Sequence, residues 1–441
     1  MSLSSISSFS RFGLVIGLAL GALCVPGAAR AQQNSDGSVY SRFGLGELYT
    51  NGSSQVQAMG GGGTALSSFN YVNLANPGSW ADQVITRLAG GVTFQGLDIE
   101  DASGTSSRLN SSLLGAFQFS FPMKQGKMGF VAAFTPYSRV AHSVLRNQVI
   151  IDDPTLTDPA AYSIRFEGSG GLQTITTGIG YRVNKNVSLG GAVNFNFGIL
   201  QESRFTEFNS GDFASTRLNL STRLAGFSGS LGGLFTFREL TSDQDAITVG
   251  ISLSTRTRLD GTQTVTTGSA AEPDTLGTPV DGKLNVPLRA NMGLAYYLNR
   301  RWTFVVDGTI EPWDQLDGDL ALAGFSPDGA SLLDKRTRFS AGLEFMPTVN
   351  PLDPYFKRAA YRLGGYTDSG YVVPQTGVSF KTMALTGGLS LPTLFPGTHI
   401  DIGFEVGRRG NTDFGYVRES FYKIIVNMNI GERWFDRRKL G

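Results

Sequence analysis

The sequence predicts an all-β fold: a 14-stranded antiparallel transmembrane β-barrel with an N-terminal hatch, or plug, in its lumen. Three observations predict it. Segments of about ten residues alternate apolar and polar side chains, the pattern of a wall with lipid outside and a polar lumen. Connections alternate between short turns (Met123–Lys127, Asn184–Asn186, Glu239–Asp243, Asn299–Arg301) and long polar loops (near Arg146–Ala160, Asn209–Ser215, Gly268–Gly282 and Asp314–Lys335). Aromatic residues collect beside the short turns: Phe119, Phe121, Phe130, Tyr181, Phe235, Phe237, Tyr296, Trp302 and Phe345. A soluble sandwich would share the alternation. It has no reason to alternate its loop lengths or to ring one end with amphipathic rings, which favour a membrane–water interface.

The chain begins with Arg11 ahead of an apolar run from Phe12 to Val25, then Pro26 and the small-residue site Ala29-Arg30-Ala31. Residues 1–31 therefore read as a secretory signal peptide, too short to span as a helix. The single cysteine, Cys24, falls inside it. Leu23 is bulky where lipoprotein processing prefers a small residue, so a lipid anchor is disfavoured. Without further cysteines, a chain starting at Gln32 has no disulfide framework and no Cys-based metal or redox site. Net charge is +1, which leaves no nucleic-acid footprint.

Residues 32–82 read as the hatch. Met59-Gly60-Gly61-Gly62-Gly63-Thr64-Ala65-Leu66, followed by Asn70, Asn73, Asn76-Pro77-Gly78 and Trp80, has neither a helical nor a strand period. The glycine run is not a phosphate loop, because no strand precedes it and no Lys-Ser/Thr follows. Residues 83–432 read as the barrel. Its first strand sets Leu88, Val92 and Phe94 against Arg87, Thr93 and Gln95. The seventh sets Ile247, Val249, Ile251 and Leu253 against Thr248, Ser252, Ser254 and Arg256. The eighth sets Leu284, Val286, Leu288, Met292 and Leu294 against Asn285, Arg289 and Asn291. The last sets Tyr422, Ile424, Val426, Met428 and Ile430 against Lys423, Asn427 and Asn429. Residues 433–441 are left as a periplasmic tail.

Three stretches together resemble the long-chain fatty-acid transporter family of outer membranes (FadL/TodX type), in the branch found in Bacteroidetes-like bacteria. They are Met59–Ala65 with Asn73-Leu74-Ala75-Asn76-Pro77-Gly78-Ser79, Gly168-Ser169-Gly170-Gly171-Leu172 with Gly178-Ile179-Gly180-Tyr181, and Phe421-Tyr422-Lys423 with Asn429–Phe435. The resemblance covers essentially the whole chain after the signal. It implies a fourteen-stranded barrel closed by a small hatch. Family members pass hydrophobic molecules, and some serve in secretion or assembly. The hatch Asn-Pro-Ala pattern is matched at Asn76-Pro77, with Gly78 where Ala is usual.

The candidate sites follow. Met59, Gly60, Gly61, Gly62, Asn73, Asn76, Pro77 and Trp80 form the hatch or gate, with Asn76-Pro77 as a hinge because proline fixes its own φ and restricts the residue before it. Gly168, Gly170 and Gly171 interrupt the fourth strand, as a kink that opens a lateral exit or as a curvature point. The resemblance itself implies a kink on the third. Lumen charges (Arg87, Arg223, Arg256, Arg289, Asp307, Glu311, Arg338, Glu344, Asp401, Glu405) read as a salt-bridge lattice. Leu320, Leu322 and Phe325 read as an exposed apolar patch on an outer loop, a docking surface or a packing contact. The carboxylates Asp314, Asp317 and Asp319 before it lack EF-hand spacing. No cofactor motif, G-x-S-x-G elbow or paired histidine is visible, His142 and His399 standing apart, so an enzyme is not expected.

The reading is a bacterial outer-membrane channel for passive uptake of a hydrophobic small molecule. The alternative is a structural barrel working with secretion machinery. The expected surroundings are outer-membrane lipid and lipopolysaccharide, and nucleic acid is not expected as a partner.

Overall fold

The computed structural model describes residues 37–50, 52–149, 161–208, 214–239, 242–268, 273–329, 331–348, 350, 352–373, 380–395 and 397–434. The signal-peptide reading and most of the tail lie outside them.

Fourteen antiparallel strands form one closed sheet, and the strand number and class match the expectation. In chain order they are β1 (Thr86–Glu100), β2 in two pieces (Ser106–Leu114 and Phe117–Lys124), β3 in two pieces (Met128–Pro136 and Ser138–Val149), β4 (Ala161–Arg182), β5 (Val187–Phe208) and β6 (Thr216–Arg238). Then come β7 (Ala246–Ser254 and Thr257–Gly268), β8 (Val280–Val286 and Arg289–Leu298), β9 (Trp302–Pro312), β10 (Lys335–Phe345), β11 (Ala360–Asp368), β12 (Thr382–Pro392), β13 (His399–Arg409) and β14 (Arg418–Glu432). The ring closes where β1 pairs with β14, from Thr86 opposite Glu432 to Glu100 opposite Arg418. Closure of this seam removes the sheet's two terminal edges from lipid.

The outward phase is apolar for about nine to eleven residues from each short turn, a span that crosses a bilayer when tilted. Leu88 and Phe94 of β1, Met383 and Leu385 of β12 and Phe404 and Val406 of β13 are exposed there. Beside the short turns, rings pack into a girdle. Trp302 stacks on Phe345 at 4.2 Å, and Phe121 lies 5.1 Å from Phe130. The β10–β11 turn is longer than the others.

One expected alternation does not run in a single phase. Leu284 and Val286 were placed with Met292 and Leu294, yet the first pair is fully buried inside the barrel and Met292 is 62% exposed outside. The ladder of β8 breaks at Pro287 and Leu288. Proline cannot donate to the ladder, and the irregularity turns every residue beyond it to the opposite face. β7 does the same at Thr255 and Arg256, burying Leu259.

Candidate functional site

The N-terminal segment, residues 37–83, runs through the interior and meets strands on all sides. Short elements start on local caps. Ser53 accepts from the Val56 amide ahead of the turn Ser54–Gln57, and Asn76 accepts from the Gly78 amide (2.9 Å) ahead of the 3-10 turn Pro77–Asp82. Pro77 occupies the first helical position, where a missing N–H costs nothing. Asn73 holds the glycine run in shape by donating to the Gly63 and Leu66 carbonyls, at 2.6 and 2.8 Å. The Trp80 indole donates to the Asn73 carbonyl at 2.7 Å.

Glycines on the wall let this backbone come close. A Cβ at Gly180 of β4 would lie 2.6 Å from the Ala81 nitrogen, and one at Gly342 of β10 would lie 2.6 Å from the Met59 Cβ. Gly190, Gly232, Gly250 and Gly364 meet the segment in the same way. This explains much of the glycine content: side chains are missing where two backbones must touch. On the segment itself, Gly60 and Gly61 have positive φ (85° and 77°), a conformation that favours glycine.

Polar groups lock the contact. The Thr64 amide donates to Asp307 (2.7 Å), the Gly60 amide to Thr386 (2.9 Å), and Arg338 donates to the Gly60 carbonyl (3.0 Å). Gln55 donates to Asp401 at 2.6 Å, Arg87 to the Phe69 carbonyl at 3.0 Å and Asn429 to the Asn70 carbonyl at 3.1 Å. Asn76 donates to the Thr64 carbonyl inside the segment and to the Gly233 and Ile251 carbonyls of β6 and β7. The residue expected to hinge is thus anchored to the wall.

Behind these contacts the lumen charges form a chain. Arg289 meets Glu311 at 2.8 Å, Glu311 meets Arg336 at 3.2 Å, Arg336 meets Asp368 at 2.6 Å and Asp368 meets Arg338 at 3.4 Å. A second group joins Arg409 to Glu47 of the segment at 2.6 Å and to Glu419 at 3.6 Å. Burial alone would raise the Glu47 carboxyl. The Arg409 guanidinium beside it holds the pKa down to about 2. Buried charges persist when each finds its counterpart. Arg223 and Arg256, grouped with this lattice from the sequence, do not belong to it: both are exposed, Arg223 sits between the buried Thr222 and Leu224 on the outward phase it shares with Phe227, and Arg256 reaches Gln315.

The outer half of the lumen is closed differently. Leu320, Leu322 and Phe325 are buried, at 1%, 8% and 7% exposure, which corrects their reading as an exposed docking patch. The loop folds inward, and these side chains pack with Tyr40, Leu45, Leu259, Leu284, Trp313 and Tyr371. Burial of apolar surface outweighs the expectation that outer loops point to water.

The wall parts between β2 and β3. Below, Phe117 pairs with Phe134 and the ladder runs to Lys124 opposite Met128. Above, Ser106–Leu114 pairs with β1, and Ser138–Val149 pairs with β4. Among the described residues no ladder joins these two outer pieces. The N-terminal segment covers the β3 edge. Glu47 and Leu48 pair with Arg139 and Ser138, and the Ser41 hydroxyl both donates to the Ala141 carbonyl and accepts from its amide, each at 2.9 Å. Across the parting Arg139 reaches Ser111 at 3.3 Å. Behind it lies a cavity of about 150 Å³ lined by Leu48, Leu113, Leu114, Arg338, Glu405 and Arg409, among others.

Gly168, Gly170 and Gly171 sit on β4, as expected, but the wall there is continuous. Gly170 pairs with Val140 on one side and Leu200 on the other. Gly170 and Gly171 have φ of 100° and 140°, and a Cβ on Gly171 would strike the Ser138 carbonyl where the two pieces of β3 meet. A side chain at Gly168 would strike the buried His142 ring. The opening lies one strand over, at Gly115–Ala116 and Tyr137. Gly115 and the Pro136-Tyr137 pair, which break the alternation, were the available signals.

Fourteen strands around an inner segment define a barrel of the FadL type. Three solved structures share the fold. They are the CymD monoaromatic hydrocarbon channel (14% identity, TM-score 0.56, 89% of this chain and 100% of that one), the Ralstonia pickettii toluene transporter TbuX (15%, 0.56, 87% and 99%), and a Pseudomonas aeruginosa FadL homologue (12%, 0.56, 88% and 98%). No curated protein sequence matches the chain. The family model of BamG matches residues 16–441, and the chain belongs to the BamG family.

Proposed function

We propose that this chain is a bacterial outer-membrane barrel, exported by its signal peptide, that admits hydrophobic small molecules of the fatty-acid or hydrocarbon class. Passage is passive and lateral. The observation that carries this reading is the parting between β2 and β3, which opens the wall in front of an internal cavity. The N-terminal segment acts as a fixed plug that blocks the straight path, so the sideways route needs no wholesale unplugging. The names of the CymD and TbuX neighbours supply the first probe, a monoaromatic hydrocarbon.

The test is a tether. The chain after the proposed signal has no cysteine, so Ser111→Cys with Arg139→Cys places one thiol on each side of the parting, and a bifunctional methanethiosulfonate bridges them reversibly. Cross-linking should abolish uptake of labelled toluene or a long-chain fatty acid, and reductant should restore it. Equal uptake in both states sinks the lateral route.

A second reading is a barrel that docks a protein, in secretion or surface assembly. The unpaired edge of Ser106–Leu114 favours it, because a free strand edge is a template for another chain. In that case the same tether would leave uptake untouched and deplete surface proteins.

A further inference from the structure

We propose that the outer wall over β9–β13 carries a binding site for a phosphorylated, multiply acylated glycolipid of the outer leaflet, the lipid A class. The site is on the lipid face, outside the lumen and its plug, and stands independently of the transport reading.

Ladder register places its parts. On adjacent strands Val306 pairs with Ala341, Ala341 with Gly365 and Gly365 with Leu385. Two small residues therefore sit side by side between two large ones. One step toward the long-loop side, Phe339 pairs with Thr367 and Thr367 with Met383. Phe339, Met383 and Leu385 are all more than half exposed. They wall an open groove that continues to Val406. Successive side chains in a strand point to opposite faces, so these residues share the lipid side.

The groove has a cationic end. Arg408 pairs in register with Met383, and Lys381, the residue just before β12, lines the same groove. Both are exposed, and neither has a salt-bridge partner among the described residues. Asn411 also lines this end. Arg408 and Lys381 stand about ten residues from the short turns of their strands, where the apolar band ends. That is the headgroup level of the outer leaflet. Acyl chains would lie over Gly365 and Ala341, and the phosphate would meet Lys381 and Arg408. Guanidinium and ammonium groups suit phosphate oxygens, and the outward carboxylate that lines the same groove, Asp98, is already held by Arg108 at 2.6 Å.

The experiment reconstitutes the full chain in phosphatidylcholine nanodiscs doped with either bis-phosphorylated hexa-acyl lipid A or phosphatidylglycerol, and reads retained lipid by native mass spectrometry. The wild type should retain lipid A in preference to phosphatidylglycerol. Lys381→Gln with Arg408→Gln should lower lipid A retention about thirtyfold, in keeping with two interfacial cations. Ala341→Phe fills the groove, leaves the charges in place, and should lower retention as well. Heat-modifiable gel migration checks that each barrel is folded, and Ala341→Phe decides alone if the double variant misfolds. Equal retention by the variants, or equal retention of phosphatidylglycerol by the wild type, overturns the proposal.

Discussion

The lumen is filled in two ways. Toward the short turns, the N-terminal segment is gripped by missing side chains and by directed polar bonds, with Asp307, Arg338, Thr386 and Asn429 each aimed at one backbone group. Toward the long loops, closure is a cluster of leucines and aromatics around Trp313 and Tyr371. The first layer fixes one position, because a hydrogen bond fails when its partner shifts. The second sets non-directional apolar burial, which tolerates rearrangement as long as area stays buried, beside directed bonds such as those of the Tyr371 hydroxyl to the Phe43 and Gly46 carbonyls. A barrel that moves should therefore move in its outer layer first.

The largest effect should come from the charge chain. Arg336→Ala removes the group between Glu311 and Asp368 and leaves Glu311 with Arg289 alone and Asp368 with Arg338 alone. Breaking a buried pair from one side costs about 3–5 kcal/mol. Urea unfolding of the reconstituted barrel should show a loss of that size. A loss below about 1 kcal/mol would mean that water already screens this layer.

Next comes Leu320→Ala in the outer cluster. Truncating a fully buried leucine costs about 2–5 kcal/mol, the low end where neighbours can collapse into the space. The outer layer should give the low end, with faster protease cleavage in the loop around Asp319 and no change around Met59. Equal loosening at Met59 would join the two layers into one.

The sequence made the wall legible and the interior only partly so. Period-two alternation is a local property, and β1 and β14 read correctly from it because each is uninterrupted. The Met59–Trp80 stretch stood out because it lacks any period, and its glycines find their reason in contacts with Gly180, Gly342 and Gly364. What failed was non-local. Leu320 looks exposed when its loop is read alone, since nothing nearby shows that Leu259 and Leu284 have turned inward beyond two strand breaks to receive it. The glycines of β4 lie on a continuous stretch of wall, and the parting belongs to the neighbouring pair of strands, whose separation is a matter of missing ladder bonds. No residue type encodes an absent pairing.

The smallest expected effect is at the border of the layers and tests their separation most finely. Ser41 satisfies both backbone groups of Ala141 on the β3 edge. Ser41→Ala leaves that donor and acceptor unanswered, a loss of about 1–3 kcal/mol that falls toward the low end if water enters from the parting. Global unfolding should barely register it. Hydrogen exchange should, with faster exchange at Tyr40, Gly46 and Leu48, which lie along the same edge, and unchanged exchange at Gly60 and Thr64, whose amides are held by Thr386 and Asp307. Ser41→Thr keeps the hydroxyl and should restore protection. If exchange at Gly60 and Thr64 rises together with that at Tyr40, the segment opens as one piece, and the polar grip below is no firmer than the apolar closure above.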